Sequence, residues 1–222
     1  MSPSPFIVRA IRIIAVIALF SVICVAAKDF VLPAVQPAKN FPARDEHPTE
    51  KVTVAVDPYD MADKASIFSV KYSEEGFMPI YVVITNDGDQ PVALAGMKAQ
   101  LVTVNRSKIS PASVDDLYRR LSHPSASGKP SPLPWPTKKV KGTVSKQTQD
   151  ELQNSQFAAR AVEPHTSQAG FMFFDVSDIS TPLAGAHFYL TGVRDSSGNE
   201  LMYFEIPLEK YLSAPAAPPR VN

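Results

Sequence analysis

The sequence predicts a mainly β protein, an immunoglobulin-like antiparallel β-sandwich that carries a helical and Pro-rich insert. Three observations predict it. Short runs with period two recur, as in Val52, Val54 and Val56 or Ile80, Val82 and Ile84. A later block is dense in aromatic and β-branched residues: GFMFFDV (170–176), AHFYLTGV (186–193) and ELMYFEIPL (200–208). No βα alternation connects these runs, and 222 residues with 45% hydrophobic content are enough for one sizeable core.

In chain order, the N-terminus comes first. Arg9 and Arg12 precede Ile13 to Ala27, a run without charge, which is the layout of a secretory n-region and h-region. Fifteen helical residues span roughly 22 Å, short of the roughly 30 Å of a bilayer core. That length favours a cleaved signal peptide, with Val25-Ala26-Ala27 supplying small residues for cleavage after Ala27. The alternative is an uncleaved anchor over residues 7–27, with snorkelling arginines, held in an inner membrane. Cys24 follows Ile23, a bulky residue where a lipobox needs a small one, so it reads as an apolar member of the h-region.

Residues 28–50 contain Pro33, Pro37, Pro42 and Pro48 and read as an extended spacer. The sandwich domain is expected over 51–212. Its strands are predicted at 51–56, at 66–72 with Phe68, Val70 and Tyr72 on one face, and at 80–85, where both faces are apolar as in a central strand. Asn86-Asp87-Gly88-Asp89 is a tight turn, after which strands resume at Val92–Leu94 and Met97–Val104. Strands 186–193 and 200–208 form a hairpin closed by RDSSGN (194–199).

An insert occupies 106–165. Val114, Leu117, Tyr118 and Leu121 lie at helical spacing behind Ser113 as N-cap, with Asp116 three residues on and i,i+4 pairs Asp115/Arg119 and Asp116/Arg120. A second, weaker helix is predicted from about Lys146 to Val162, ended by Pro164. The tail, 213–222, is predicted to be disordered.

The phrase GFMPIYVVITNDGDQPVAL (76–94), together with GFMFFDV and VRDSSGNELMYFEIPL (193–208), resembles exported bacterial immunoglobulin-like sandwich proteins. The resemblance implies a fold and a compartment and brings no catalytic residues. The Cys-Trp-Cys signature of true immunoglobulin domains is absent.

Composition narrows the chemistry. Lysines and arginines number 22, as do the acids, and removing residues 1–27 leaves 20 bases against 22 acids. Such a balance gives no pull toward nucleic acid. His47, His123, His165 and His187 show no metal-binding spacing, and no cofactor is expected. Asp57, Asp60 and Asp63, near Glu74 and Glu75, offer oxygens for calcium without an EF-hand pattern, and such acids also serve as solvated turn caps. No GxSxG elbow or exported cysteine is present, so no enzyme is expected. Trp135, within Pro-Leu-Pro-Trp-Pro and followed by Lys138, Lys139 and Lys141, is a candidate partner-binding surface, or else a ring that folds back over a sheet.

These readings converge on a non-catalytic extracytoplasmic protein that binds a protein partner in the bacterial envelope and meets the membrane only through its N-terminal segment. A carbohydrate- or surface-binding module is the alternative, and an enzyme of unrecognised type the third. Stacked exposed aromatics on one sheet would favour the carbohydrate binder, whereas an apolar insert surface rimmed by the three lysines would favour a protein partner.

Overall fold

The computed structural model describes residues 30–122 and 144–214. Residues 1–27, expected as signal or anchor, and Trp135, Lys138, Lys139 and Lys141 lie outside them, as does most of the predicted tail. Among the described residues, no helix is long and apolar enough to cross a membrane.

The protein is mainly β, and all its strand pairs are antiparallel. In chain order the strands are β1 (Arg44–His47), β2 (Val52–Pro58), β3 (Phe77–Asn86), β4 (Val92–Ala93), β5 (Lys98–Val102), β6 (Lys108–Ile109), β7 (Ala161–Val162), β8 (Thr166–Asp175), β9 (His187–Thr191) and β10 (Phe204–Pro207). The helices are α1 (Ala62–Ala65), α2 (Val114–Ser122), α3 (Lys146–Ser155) and α4 (Glu209–Leu212). The first sheet runs β1-β2-β3-β8, the second β10-β9-β5-β6, and β4 pairs with β7 apart from both.

Period-two alternation decides which face each residue serves. Val52, Val54 and Val56 of β2, Ile80, Val82 and Ile84 of β3 and Phe174 of β8 share one core with Ala99, Leu101, Phe188, Leu190, Phe204 and Ile206 of the second sheet. The opposite face of the first sheet, with Tyr81, Val83, Phe171 and Phe173, is covered by a second cluster that includes Leu117 of α2 and Leu152 of α3. All ten residues of β3 are therefore buried, as the doubly apolar run at 80–85 implied.

Helices α2 and α3 of the insert thus lie over the first sheet. The Ser113 hydroxyl accepts from the Asp116 N–H at 3.1 Å, and the Asp116 carboxylate accepts from the Ser113 N–H at 3.3 Å, a reciprocal cap for α2. The arginines reach beyond the expected i,i+4 pairs: Arg119 bonds Asp116 at i,i+3, and Arg120 reaches Asp175 of β8 at 2.6 Å. That second bond fastens the helix to the sheet.

Several expectations are corrected. Residues 66–72 form no strand; the chain turns there, with Glu74 N–H bonded to Lys71 C=O and Glu75 N–H to Tyr72 C=O, and the aromatic spacing instead places Phe68 and Tyr72 against Phe171 and Phe173. Residues 44–47, read as spacer, are a strand paired with β2. Helix α3 stops at Ser155 rather than Val162. Phe157 N–H bonds Phe171 C=O at 3.0 Å, which pulls the chain straight along β8, and Val162 then pairs with Val92. Gly170 makes this approach possible, since a Cβ there would come within 2.5 Å of Phe157 Cα.

Candidate functional site

The solvent face of the second sheet carries the arrangement with the most chemistry. Because Phe188, Leu190, Phe204 and Ile206 point into the core, His187, Tyr189, Thr191 and Glu205 point outward, all of them partly exposed. Pairing register then sets the rows. Glu205 lies opposite Tyr189, and Tyr189 opposite Gln100; Pro207 lies opposite His187, and His187 opposite Val102. Tyr203, just before β10, stands beside them with 52% of its surface exposed, next to an exposed Met202.

The rings form a continuous run. His187 and Tyr189 lie 6.2 Å apart with planes 20° from parallel, and Tyr189 and Tyr203 lie 6.1 Å apart at 36°. Glu205 fixes the run from the neighbouring strand. Its Oε1 accepts from the Tyr189 hydroxyl at 2.6 Å and lies 2.8 Å from His187 Nδ1. The hydrogen bond to Glu205, with some burial, pushes the Tyr189 hydroxyl up to about 12, so the ring keeps its proton at neutral pH. Glu205 Oε2 takes no hydrogen bond among the described residues, which leaves an acceptor on the edge strand beside the rings.

The other candidates read from sequence are accounted for structurally. Asp57 forms an ion pair with Lys64, and Asp60 accepts from the Tyr211 hydroxyl at 2.6 Å. Among the described residues, no three His, Cys, Asp or Glu side chains gather as a metal site. Asn86 closes its turn as predicted, accepting from Gly88 N–H at 2.9 Å and donating to Gln90 C=O at 2.8 Å. His47 stacks on Phe204 with ring centres 4.0 Å apart, and His165 lies 3.3 Å from Asp89.

Alternation within the strand read at 186–193 places His187, Tyr189 and Thr191 in one row, but nothing in that strand points to Glu205, Tyr203 and Gln100. The signal was present in ELMYFEIPL, where Phe204, Ile206 and Leu208 alternate with Tyr203, Glu205 and Pro207. Assigning the first set inward would have put the second beside Tyr189 across the hairpin.

No family model matches the chain, and no curated protein matches it in sequence. Solved structures similar to it include a candidate lipoprotein from Bacillus subtilis, 12% identical, with a TM-score of 0.36 over 75% of this chain and 39% of that one. Another is a conserved hypothetical protein from Bacillus anthracis, 14% identical, with a TM-score of 0.33 over 74% of this chain and 97% of that one. The chain thus spans well under half of the Bacillus subtilis protein's length.

Proposed function

We propose that this chain is a non-catalytic, extracytoplasmic binding module built on an immunoglobulin-like β-sandwich, and that its ligand is a carbohydrate of the bacterial envelope. The observation that carries this reading is the run His187, Tyr189 and Tyr203 on the solvent face of β9 and β10, with Glu205 set into it. A sugar ring offers an apolar C–H face and a rim of hydroxyls. Aromatic rings match the face, while a carboxylate and the Gln100 amide match the rim. The fixed Tyr189 and Glu205 reduce the entropy lost when a ligand is ordered there.

The insert supports the same choice over the protein-partner reading. Leu117 and Leu152 are spent on covering the first sheet, so among the described residues the insert presents no free apolar face built from them. Export rests on Arg9, Arg12 and the apolar run to Ala27.

The test is co-sedimentation of the protein with insoluble peptidoglycan, chitin and cellulose. The reading expects retention on at least one of them and roughly tenfold weaker retention when Tyr189 and Tyr203 are both replaced by Ala. Equal retention of wild type and variant, or none for either, overturns it.

A further inference from the structure

We propose a second binding site, a gap in the edge of the second sheet beside Ala99 that takes an extended segment of another polypeptide as an added strand. The gap follows from one residue. β6 pairs with β5 only at Leu101↔Ile109 and Val102↔Lys108. Continued by two residues, the same register would set Pro111 opposite Ala99. Pro has no N–H to give the ladder. The chain leaves instead for the first sheet, where Pro111 bridges Phe174 and Ala112 N–H bonds Phe173 C=O at 2.7 Å.

The vacated edge has a definite polarity. Thr103 N–H bonds Ser107 C=O at 3.0 Å, so Thr103 faces β6. Every second residue shares that orientation, so Leu101 and then Ala99 turn N–H and C=O toward the same edge. Ala99 is only 7% exposed, and its main chain has no partner on that side among the described residues. Main-chain groups so placed are normally paired. Beside them lies a groove of about 350 Å³, at the lower end of the range for ligand pockets, walled by Met97, Pro111, Phe157 and Phe171. Gln156 also lines it, and its amide nitrogen is buried without a hydrogen bond.

Charge selects the occupant. Lys98 and Lys108 project from the solvent face at either end of this stretch, both exposed and neither ion-paired among the described residues. A second copy of this edge would set lysine against lysine, the usual guard against self-pairing. The fitting partner is a foreign extended segment that alternates small apolar residues, facing the groove, with acids facing the lysines. This site borders the carbohydrate face at Gln100, which lines the groove.

The test measures fluorescence anisotropy of labelled acetyl-Glu-Val-Glu-Val-Glu-amide with the full-length protein. Three comparisons accompany it: the same peptide N-methylated at its two valines, the residues whose N–H groups turn toward Ala99, its Lys-for-Glu counterpart, and the protein variants Ala99→Pro and Lys98→Glu/Lys108→Glu. The proposal expects saturable binding, roughly tenfold weaker for the N-methylated peptide and for Ala99→Pro, and a reversed preference between the Glu and Lys peptides in the double variant. Should Ala99→Pro fail to fold, the N-methylated peptide and the charge reversal decide. No saturable binding below about 1 mM, equal binding of the N-methylated peptide, or an unreversed charge preference overturns it.

Discussion

Glu151 should be the residue on which attachment of the insert depends most. It is 1% exposed, sits on α3 and accepts two hydrogen bonds from the segment 66–72: from Ser69 N–H at 2.6 Å and from the Tyr72 hydroxyl at 3.0 Å. Tyr72, itself buried, packs its ring 4.7 Å from Phe173 of β8, so one carboxylate joins helix, turn and sheet. A hydrogen bond to a charged group contributes about 1.5 to 3 kcal/mol, so Tyr72→Phe should cost that much. Glu151→Ala orphans the Ser69 N–H as well and leaves a void, for about 3 to 5 kcal/mol. Because both changes remove the same Tyr72 bond, the double variant should fall short of additivity by about 1 to 2 kcal/mol. Urea unfolding followed by far-UV circular dichroism measures all three, with unchanged m-values confirming that only stability has moved. A cost below about 0.5 kcal/mol for Tyr72→Phe, or strict additivity, would refute the reasoning.

Other outcomes follow from the same packing. Phe173→Ala and Phe174→Ala should each cost about 3 to 5 kcal/mol in urea unfolding, since both rings are buried, one under the insert and one between the sheets. A cost below about 1 kcal/mol for either would mean that its face of β8 is open. Burial, reinforced by the nearby Glu151 charge, raises the Tyr72 hydroxyl above its ordinary value, and burial with a hydrogen bond to Asp60 does the same for Tyr211. Both hold their protons more tightly folded than unfolded, so their contribution is complete below about pH 10 and lost as pH rises beyond it. Thermal melts between neutral pH and pH 11 should therefore show falling stability, less steep in Tyr72→Phe; identical slopes would contradict the assignment.

The sequence revealed what repeats locally. Valines at 52, 54 and 56 and the run Ile80 to Thr85 declared their strands, Asn86 to Asp89 declared its turn, and Ser113 with Asp116 declared the start of α2. What it hid depends on partners distant in the chain. Phe68, Val70 and Tyr72 alternate like a strand, yet the segment turns, because Glu151, some eighty residues away, draws in Ser69 and Tyr72. Both Phe173 and Phe174 are buried, and no pattern within β8 says that an insert will cover the outer ring. Arg44 to His47 look like spacer, and only the adjacent edge of β2 makes them a strand. The candidate site was half legible for the same reason. Tyr189 and His187 share a row within one strand, but Glu205 joins them only through the hairpin register.

The central claim is that the solvent face of β9 and β10 binds sugar. Titrating the isotopically labelled protein with a chitin-derived N-acetylglucosamine oligosaccharide, and mapping amide and ring shifts by NMR, tests it most directly. The account predicts shifts centred on His187, Tyr189, Tyr203 and Glu205 that disappear in the Tyr189→Ala/Tyr203→Ala protein. Saturable shifts centred on the opposite side of the molecule, around α2 and α3, would contradict it.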